Sequence, residues 1–411
     1  MRLLFLSGLF AACLCAQTPV AQRPEVKKAL KYIEATHEQT LAKQVQIAEI
    51  PAPTFHEGER AKFMAGEFKK LGLKNVEIDP QGNVLGWRPG EVADTFVIAA
   101  HLDISFAVGV NTKVRKEGAR WWGPGLGDDS RGLAAILNLC EAMNNAGIKT
   151  HQTVLFVSNV GEEGLGDLNG VRYLLQKSVF KDRIKEFISV DGSDPSRLVN
   201  GGTGVKRYRV TLKGPGGHSY GNFGRVSPIH AAARIIDRMA DLKVPEKPKT
   251  TYNVGTITGG TAVNAIAEEC SFEVDLRSED LGQLDKIELF LLEAVRQGVA
   301  DENKARANSK SVITAETKVV SDRPGGLTSE NGPLPEAAKR AAAAMGFTPH
   351  FSYSSTDSNI PIGLKMPALT MGGGGAGGNA HSLNEWFEPA NAWKGPQMLL
   401  LTLLEFDSKL K

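Results

Sequence analysis

Two adjacent carboxylates, Glu162 and Glu163, follow the apolar run TVLFVS and are bracketed by glycines in SNVGEEGLGD. A Glu-Glu pair on a solvated turn is common, so its meaning rests on what stands at comparable places in the chain. TFVIAA runs into His101, Leu102 and Asp103; a glycine-rich turn before a helical stretch carries Asp128 and Asp129; EFISV ends in Asp191; and MPALTMG leads through glycines to His381. Carboxylates gathered in this number in a low-dielectric pocket cannot all stay ionised without cations. Two divalent metals remove the difficulty. Imidazole and carboxylate donors suit Zn2+, with Co2+ or Mn2+ as substitutes, and a shared carboxylate can hold two ions about 3.5–4 Å apart for hydrolytic chemistry. Asp128 is the candidate bridge.

For these side chains to meet, the segments before them must be neighbouring strands. TFVIAA (95–100) is a short continuous apolar run, as a parallel central strand shows when both faces are covered. VEID and NVLGWR read as paired strands before it. TVLFVS and EFISV follow, alternating with the helical patterns RGLAAILNLCEAMNNAG and NGVRYLLQKS. The alternation predicts an α/β fold, a mostly parallel sheet covered by helices, whose ligands gather at the carboxyl ends of the strands. Ahead of it, PEVKKALKYIEATHEQTLAKQVQIAEI reads as a helical stretch, and EGERAKFMAGEFKKLG as a second helix ending on glycine.

From about residue 206 the pattern changes. RYRVTLKG, YNVGTITGG and ECSFEVDLRS alternate with a period of two, interleaved with the helical segments SPIHAAARIIDRMADL and DLGQLDKIELFLLEAVRQGVA. One-sided alternation predicts an antiparallel sheet with helices on one face, an α+β module inserted into the larger domain. After SVITAETKVVS the first pattern returns. The expected organisation is a catalytic domain in two parts, 24–205 and 317–411, around an insertion at 206–316. GGGGAGG (372–378) lacks the Lys-Ser/Thr of a phosphate loop and reads as a flexible approach to His381.

The chain of 411 residues, 42% hydrophobic, can bury the cores of two domains. Its net charge of +2 gives no electrostatic case for nucleic acid or an anionic membrane. MRLLFLSGLFAACLCAQTPVAQ has one basic residue, an apolar stretch too short to span a bilayer and then small residues. Residues 1–16 therefore read as a signal peptide, and the mature protein as exported, periplasmic or secreted, without a transmembrane anchor. LFAAC loosely resembles a lipoprotein signal acylated at Cys13, but Phe10 fits that pattern poorly and the soluble form is preferred. Cys140 and Cys270 are too few for a disulfide framework and read as separate buried small hydrophobes. His37, His56, His151, His230 and His350 lack strand-end companions and are assigned to no metal.

Taken in order, AAHLD, GLGDDSRGLAAIL, GEEGLGD, SVDGSD, KGPGGHSYGNFGRVSPIHAA, VDLR, STDSN and NAHSLNEWF resemble the co-catalytic zinc exopeptidases and deacylases that include peptidase T, carboxypeptidase G and aminoacylase. Each motif alone is weak; the ordered set is specific and spans nearly the whole mature chain. The resemblance implies that His101 and Asp191 hold one metal and Glu163 and His381 the other, with Asp128 between them. Glu162 would be the general base, completing deprotonation of a metal-bound water and passing the proton to the leaving amine. Asp103 would accept the second imidazole N–H of His101. His218 would reach the site of a neighbouring subunit and donate to the oxyanion, a role worth a few kcal/mol.

Asn264 and Arg277 match substrate-binding positions of the group, Arg277 through a planar fork suited to a carboxylate. An exposed arginine on an alternating strand is an equally weighted reading of Arg277. Asp357 and Asn359 in STDSN could support the site by hydrogen bonding, though no spacing shows it. A homodimer built through the insertion, which would move as a lid, is implied as well. Asp129 after the bridge is the variant of peptidase T-like members and favours short peptides. The expected activity is that of a dinuclear metal-dependent exopeptidase cleaving terminal amide bonds of di- and tripeptides with a metal-bound hydroxide. An N-acyl amino acid amidohydrolase with the same site is the runner-up. From another class, a catalytically inactive peptidase fold could serve as a binding module, against which the retained Glu162 and complete ligand set speak.

Overall fold

The structure, a computed structural model, describes residues 18–306, 310–408 and 410; the expected signal peptide, with Cys13, lies outside them. Among the described residues no helix is long and apolar enough to cross a membrane. A nine-stranded sheet forms the larger domain. At its centre Gln152–Asn159, Val92–His101, Ile184–Val190 and Ala368–Met371 lie side by side and parallel. Val84–Arg88 and Lys74–Ile78 extend one flank antiparallel, and Arg197–Gly202 runs antiparallel on the other. The sheet is thus parallel where the sequence showed unbroken apolar runs and mixed toward its edges.

Both faces of the central strands are covered. Phe96, Ile98 and Ala100 face a core built with the helices Ser130–Ala146 and Lys394–Asp407, while Val97 and Ala99 face another built with Asn169–Gln176 and Asn359–Gly363. Burying each such large side chain contributes about 1.5–3 kcal/mol, which is why these strands tolerate no polar alternation. The helix Ser130–Ala146 begins at Asp129, whose carboxylate accepts from Gly132 N at 2.9 Å, and stops at Gly147 in the left-handed region, φ 66°. Cys140 and Cys270 are both buried and free, as expected.

The N-terminal helical stretch is two helices, Pro24–Ala35 and His37–Ala48. They are divided at Thr36, whose hydroxyl donates to Tyr32 O at 2.8 Å and accepts from Asn138 Nδ2 at 2.9 Å. A partner from a distant helix fixes that break, and the local apolar spacing carries no trace of it.

The inserted module is a four-stranded antiparallel sheet in the order Thr250–Gly259, Glu269–Ser278, Gly204–Lys213, Thr314–Arg323. Cys270, Phe272, Val274 and Leu276 pack toward the helices Pro228–Ala240 and Leu281–Ala305, leaving Asp275 and Arg277 on the opposite face. The last strand runs to Arg323, past the expected boundary at 316.

The first glycines of GGGGAGG are packed against neighbouring backbone, whereas Ala376 and Gly377, nearer His381, are exposed. A Cβ on Gly372 would stand 2.3 Å from Asp194 O, and one on Gly374, at φ 95°, 2.0 Å from Ala392 O. Glycine is required here by the close passage of two backbones. Gly374→Ala is expected to destabilise the protein by about 3 kcal/mol, combining steric overlap with an unfavourable φ, seen as a melting temperature lowered by several degrees.

Candidate metal centre

The parallel centre of the sheet delivers the sequence-predicted ligands to one edge. His101 ends its strand, Asp191 follows Val190, the Glu162–Glu163 pair follows Asn159, and His381 lies beyond Met371 at the end of the glycine segment. His381 sits at φ 64°, a left-handed conformation that costs a residue with a Cβ and that the surrounding packing must hold. Asp128 immediately precedes the helix-capping Asp129.

Two sets of donors result, His101 with Asp128 and Asp191, and Asp128 with Glu163 and His381, each with its ligand atoms within 4.8 Å of one another. The Asp128 carboxylate belongs to both. Its Oδ1 lies 3.0 Å from His101 Nε2 and its Oδ2 3.1 Å from His381 Nε2, while Glu163 Oε1 lies 2.9 Å from the same His381 nitrogen.

Burial pushes the Asp191 carboxyl up to about 7, with the Asp128 charge adding to the effect. Hydrogen bonds to Asp128 and Glu163 raise the His381 imidazole to about 10. Buried Glu163 Oε1 and Asp128 Oδ2 both face His381 Nε2, at 2.9 and 3.1 Å, so one imidazole N–H stands between two carboxylate oxygens. Carboxylate oxygens that outnumber the donors between them, two imidazole nitrogens and a carboxylate shared between both sets are the donors a pair of divalent ions takes.

Supporting groups fix this arrangement. His101 Nδ1 is 3.0 Å from the main-chain oxygen of Asp103 and 3.6 Å from its Oδ1. The backbone carbonyl, rather than the expected carboxylate, is the nearer acceptor. A carbonyl only accepts, so the proton sits on Nδ1 and Nε2 is left free to ligate. The Asp103 carboxylate instead anchors the backbone of the Glu-Glu pair. Its Oδ1 accepts from Glu162 N at 3.0 Å, and its Oδ2 accepts from Glu163 N at 2.9 Å and Thr54 Oγ1 at 2.9 Å.

Asp357 is fully buried and accepts from Asn159 Nδ2 at 2.7 Å; burial pushes it up to about 6. Asn359 accepts from Thr356 N and donates to Thr203 O and Pro324 O, tying the two crossings between the domains.

Sequence reasoning missed two residues. Glu385, in NAHSLNEWF, accepts from Gly125 N and Gly127 N at 2.8 Å and Asp128 N at 3.1 Å, so it shapes the loop that presents Asp128. Arg323 is buried beside Glu162: Nη1 lies 3.3 Å from Oε1 and Nη2 donates to the Glu162 carbonyl at 2.6 Å. Burial raises Glu162 well above the usual carboxylate range, and the Arg323 charge opposes that. Neither residue carries a local signal, because each acts on a loop far away in sequence.

Asp128, Glu163, Asp191 and His381 open onto a cleft of about 450 Å3 whose lining includes Arg197, Arg207, Arg277 and Arg323, with His101 buried behind them. Arg277 is thus at the site. His218 and Asn264 are not among the residues lining the cleft of their own chain. They are exposed and adjacent on the module, Ser219 N donating to Asn264 O at 2.9 Å.

The sequence description of peptidase family M20/M25/M40 matches residues 97–405. Carboxypeptidase G2 of Pseudomonas sp. (strain RS-16) is 23% identical over 287 residues, covering 66% of this chain and 67% of that protein. The crystal structure of a tripeptidase from Staphylococcus aureus subsp. aureus Mu50 superposes with a TM-score of 0.73 at 21% identity, over 90% of this chain and 99% of that one. A dinuclear metal binding peptidase of Bacillus subtilis from the M20 family superposes with a TM-score of 0.64 at 17% identity, over 91% and 99% of the two chains.

Proposed function

Because the chain belongs to peptidase family M20/M25/M40 and is a metallopeptidase, we propose that it is a dinuclear exopeptidase acting on terminal amide bonds of di- and tripeptides. The observation that carries this reading is the Asp128 carboxylate, which turns one oxygen to His101 and the other to His381. His101 and Asp191 would hold one ion, Glu163 and His381 the second, with Asp128 common to both. Ions so held, Zn2+ by the chemistry of the donors, supply Lewis acidity to the scissile carbonyl and the attacking water.

The chain's own groups do the rest. A Glu162 carboxylate oxygen takes a proton from the attacking water and delivers it to the leaving nitrogen. Arg323 orients that carboxylate and favours its ionised form. Asp103 keeps the Glu162 and Glu163 backbone in register with His101. Arg277 offers its fork to the free carboxylate of the peptide. A homodimer through the inserted module would let His218 of the partner subunit, with its neighbour Asn264, complete the cleft by donating to the oxyanion.

Metal analysis combined with a substrate profile tests the proposal. The purified protein should take up two divalent ions per chain and cleave unblocked di- and tripeptides faster than N-acyl amino acids. A reversed order of substrates would assign it to amidohydrolase chemistry on the same site. Metal uptake without any hydrolysis would point to a binding module.

A further inference from the structure

The cleft lining carries more positive charge than one terminal carboxylate needs. Arg207 and Asp275 face each other directly across neighbouring strands of the module, and Arg277 lies on the same face two residues beyond Asp275. Both guanidiniums converge on that one carboxylate, Arg207 Nε on Oδ1 at 2.7 Å and Arg277 Nε on Oδ2 at 2.6 Å. Against the burial of Asp275, the two arginines hold it below the usual carboxylate range. One negative charge is thus shared between two positive ones.

Arg197 reaches the same cleft from the larger domain; its Nε donates to Ser352 Oγ at 3.1 Å, and among the described residues it makes no ion pair. Arg207, which lines the same cleft, also donates Nη1 to Gly164 O at 2.8 Å, and among the described residues its Nη2 makes no hydrogen bond. Arg323 is committed to Glu162 and contributes nothing to this surplus. Ser193, Ser354 and Ser355 add hydroxyl donors along the lining.

We propose that Arg197 and Arg207 form a second anion subsite beside Arg277, so that the preferred substrates are short peptides whose carboxy-terminal residue is aspartate or glutamate. The proposal rests on the exopeptidase reading above. The α-carboxylate takes the Arg277 fork, and the side-chain carboxylate of the same residue takes the free donors of Arg207 and Arg197. Two forks gathered on one Asp275 carboxylate stand side by side, as the two carboxylates of a single acidic residue do. A neutral side chain leaves the guanidiniums in the cleft without an anion, and that is the source of the selectivity.

Metal-loaded protein is assayed on Ala-Glu, Ala-Gln and Ala-Ala, and kcat/KM for Ala-Glu is expected to exceed that for Ala-Gln by about tenfold or more. In Arg197→Gln and in Arg207→Gln this ratio should fall below about threefold, and Arg197→Lys should recover part of it. Because both substrates are measured on one preparation, the ratio does not depend on the fraction folded. A separate calorimetric titration of unsubstituted protein and of Arg207→Gln with glutarate reads the subsite without turnover; binding should weaken at least about tenfold in the variant. Equal rates on Ala-Glu and Ala-Gln in the unsubstituted protein overturn the subsite and leave the exopeptidase reading standing. If no dipeptide is cleaved, the exopeptidase reading fails and the titration decides: loss of glutarate binding in Arg207→Gln upholds an anion subsite, and unchanged or undetectable binding overturns it.

Discussion

Glu162→Gln should lower turnover by about a hundredfold to ten-thousandfold while leaving metal content and melting temperature close to those of the unsubstituted protein. The side chain keeps its size, and its amide oxygen can still accept from Arg323, so the buried contact at 3.3 Å has a substitute. What disappears is the carboxylate that carries a proton from water to the leaving nitrogen. Glu163, next in the chain, is turned toward His381 at 2.9 Å and cannot replace it. Single-turnover kinetics beside metal analysis makes the measurement, and a variant retaining activity within tenfold of the parent would remove the base assignment.

Asp128→Ala should have the second large effect, through the ions themselves. Asp128 is the one residue common to both donor sets, so its removal takes a ligand from each. Bound metal is expected to fall from two ions per chain to one or fewer, with peptide hydrolysis below detection. His101→Ala, by contrast, strips one set only and should leave the Glu163 and His381 side able to take an ion. Metal stoichiometry by mass spectrometry separates these outcomes. Two ions retained in Asp128→Ala would show that the carboxylate does not bridge them.

The ligand edge was legible for a local reason. A parallel strand buried on both faces must be continuously apolar, so His101 and Asp191 stand out where the runs TFVIAA and EFISV stop. The alternation in ECSFEVDLR likewise announced a sheet with helices on one face, and that face received Phe272 and Leu276. The roles within the Glu162–Glu163 pair came from the ordered motifs and their resemblance to a known group, since neither composition nor spacing tells one glutamate from the other.

The rest depended on contacts between segments that share no local pattern. Glu385 shapes the Asp128 loop, Arg323 steadies Glu162, Thr36 breaks a helix through Asn138, and Arg207 and Arg277 meet on Asp275. The first glycines of the run pass for flexible until Ala392 O and Asp194 O are found against them. By itself the sequence determined which side chains end which strands, because burial and residue chemistry act over a few neighbouring positions. Only the tertiary structure decided which distant groups orient those side chains and how much positive charge faces them, because hydrogen bonds and ion pairs depend on distances that chain connectivity leaves open.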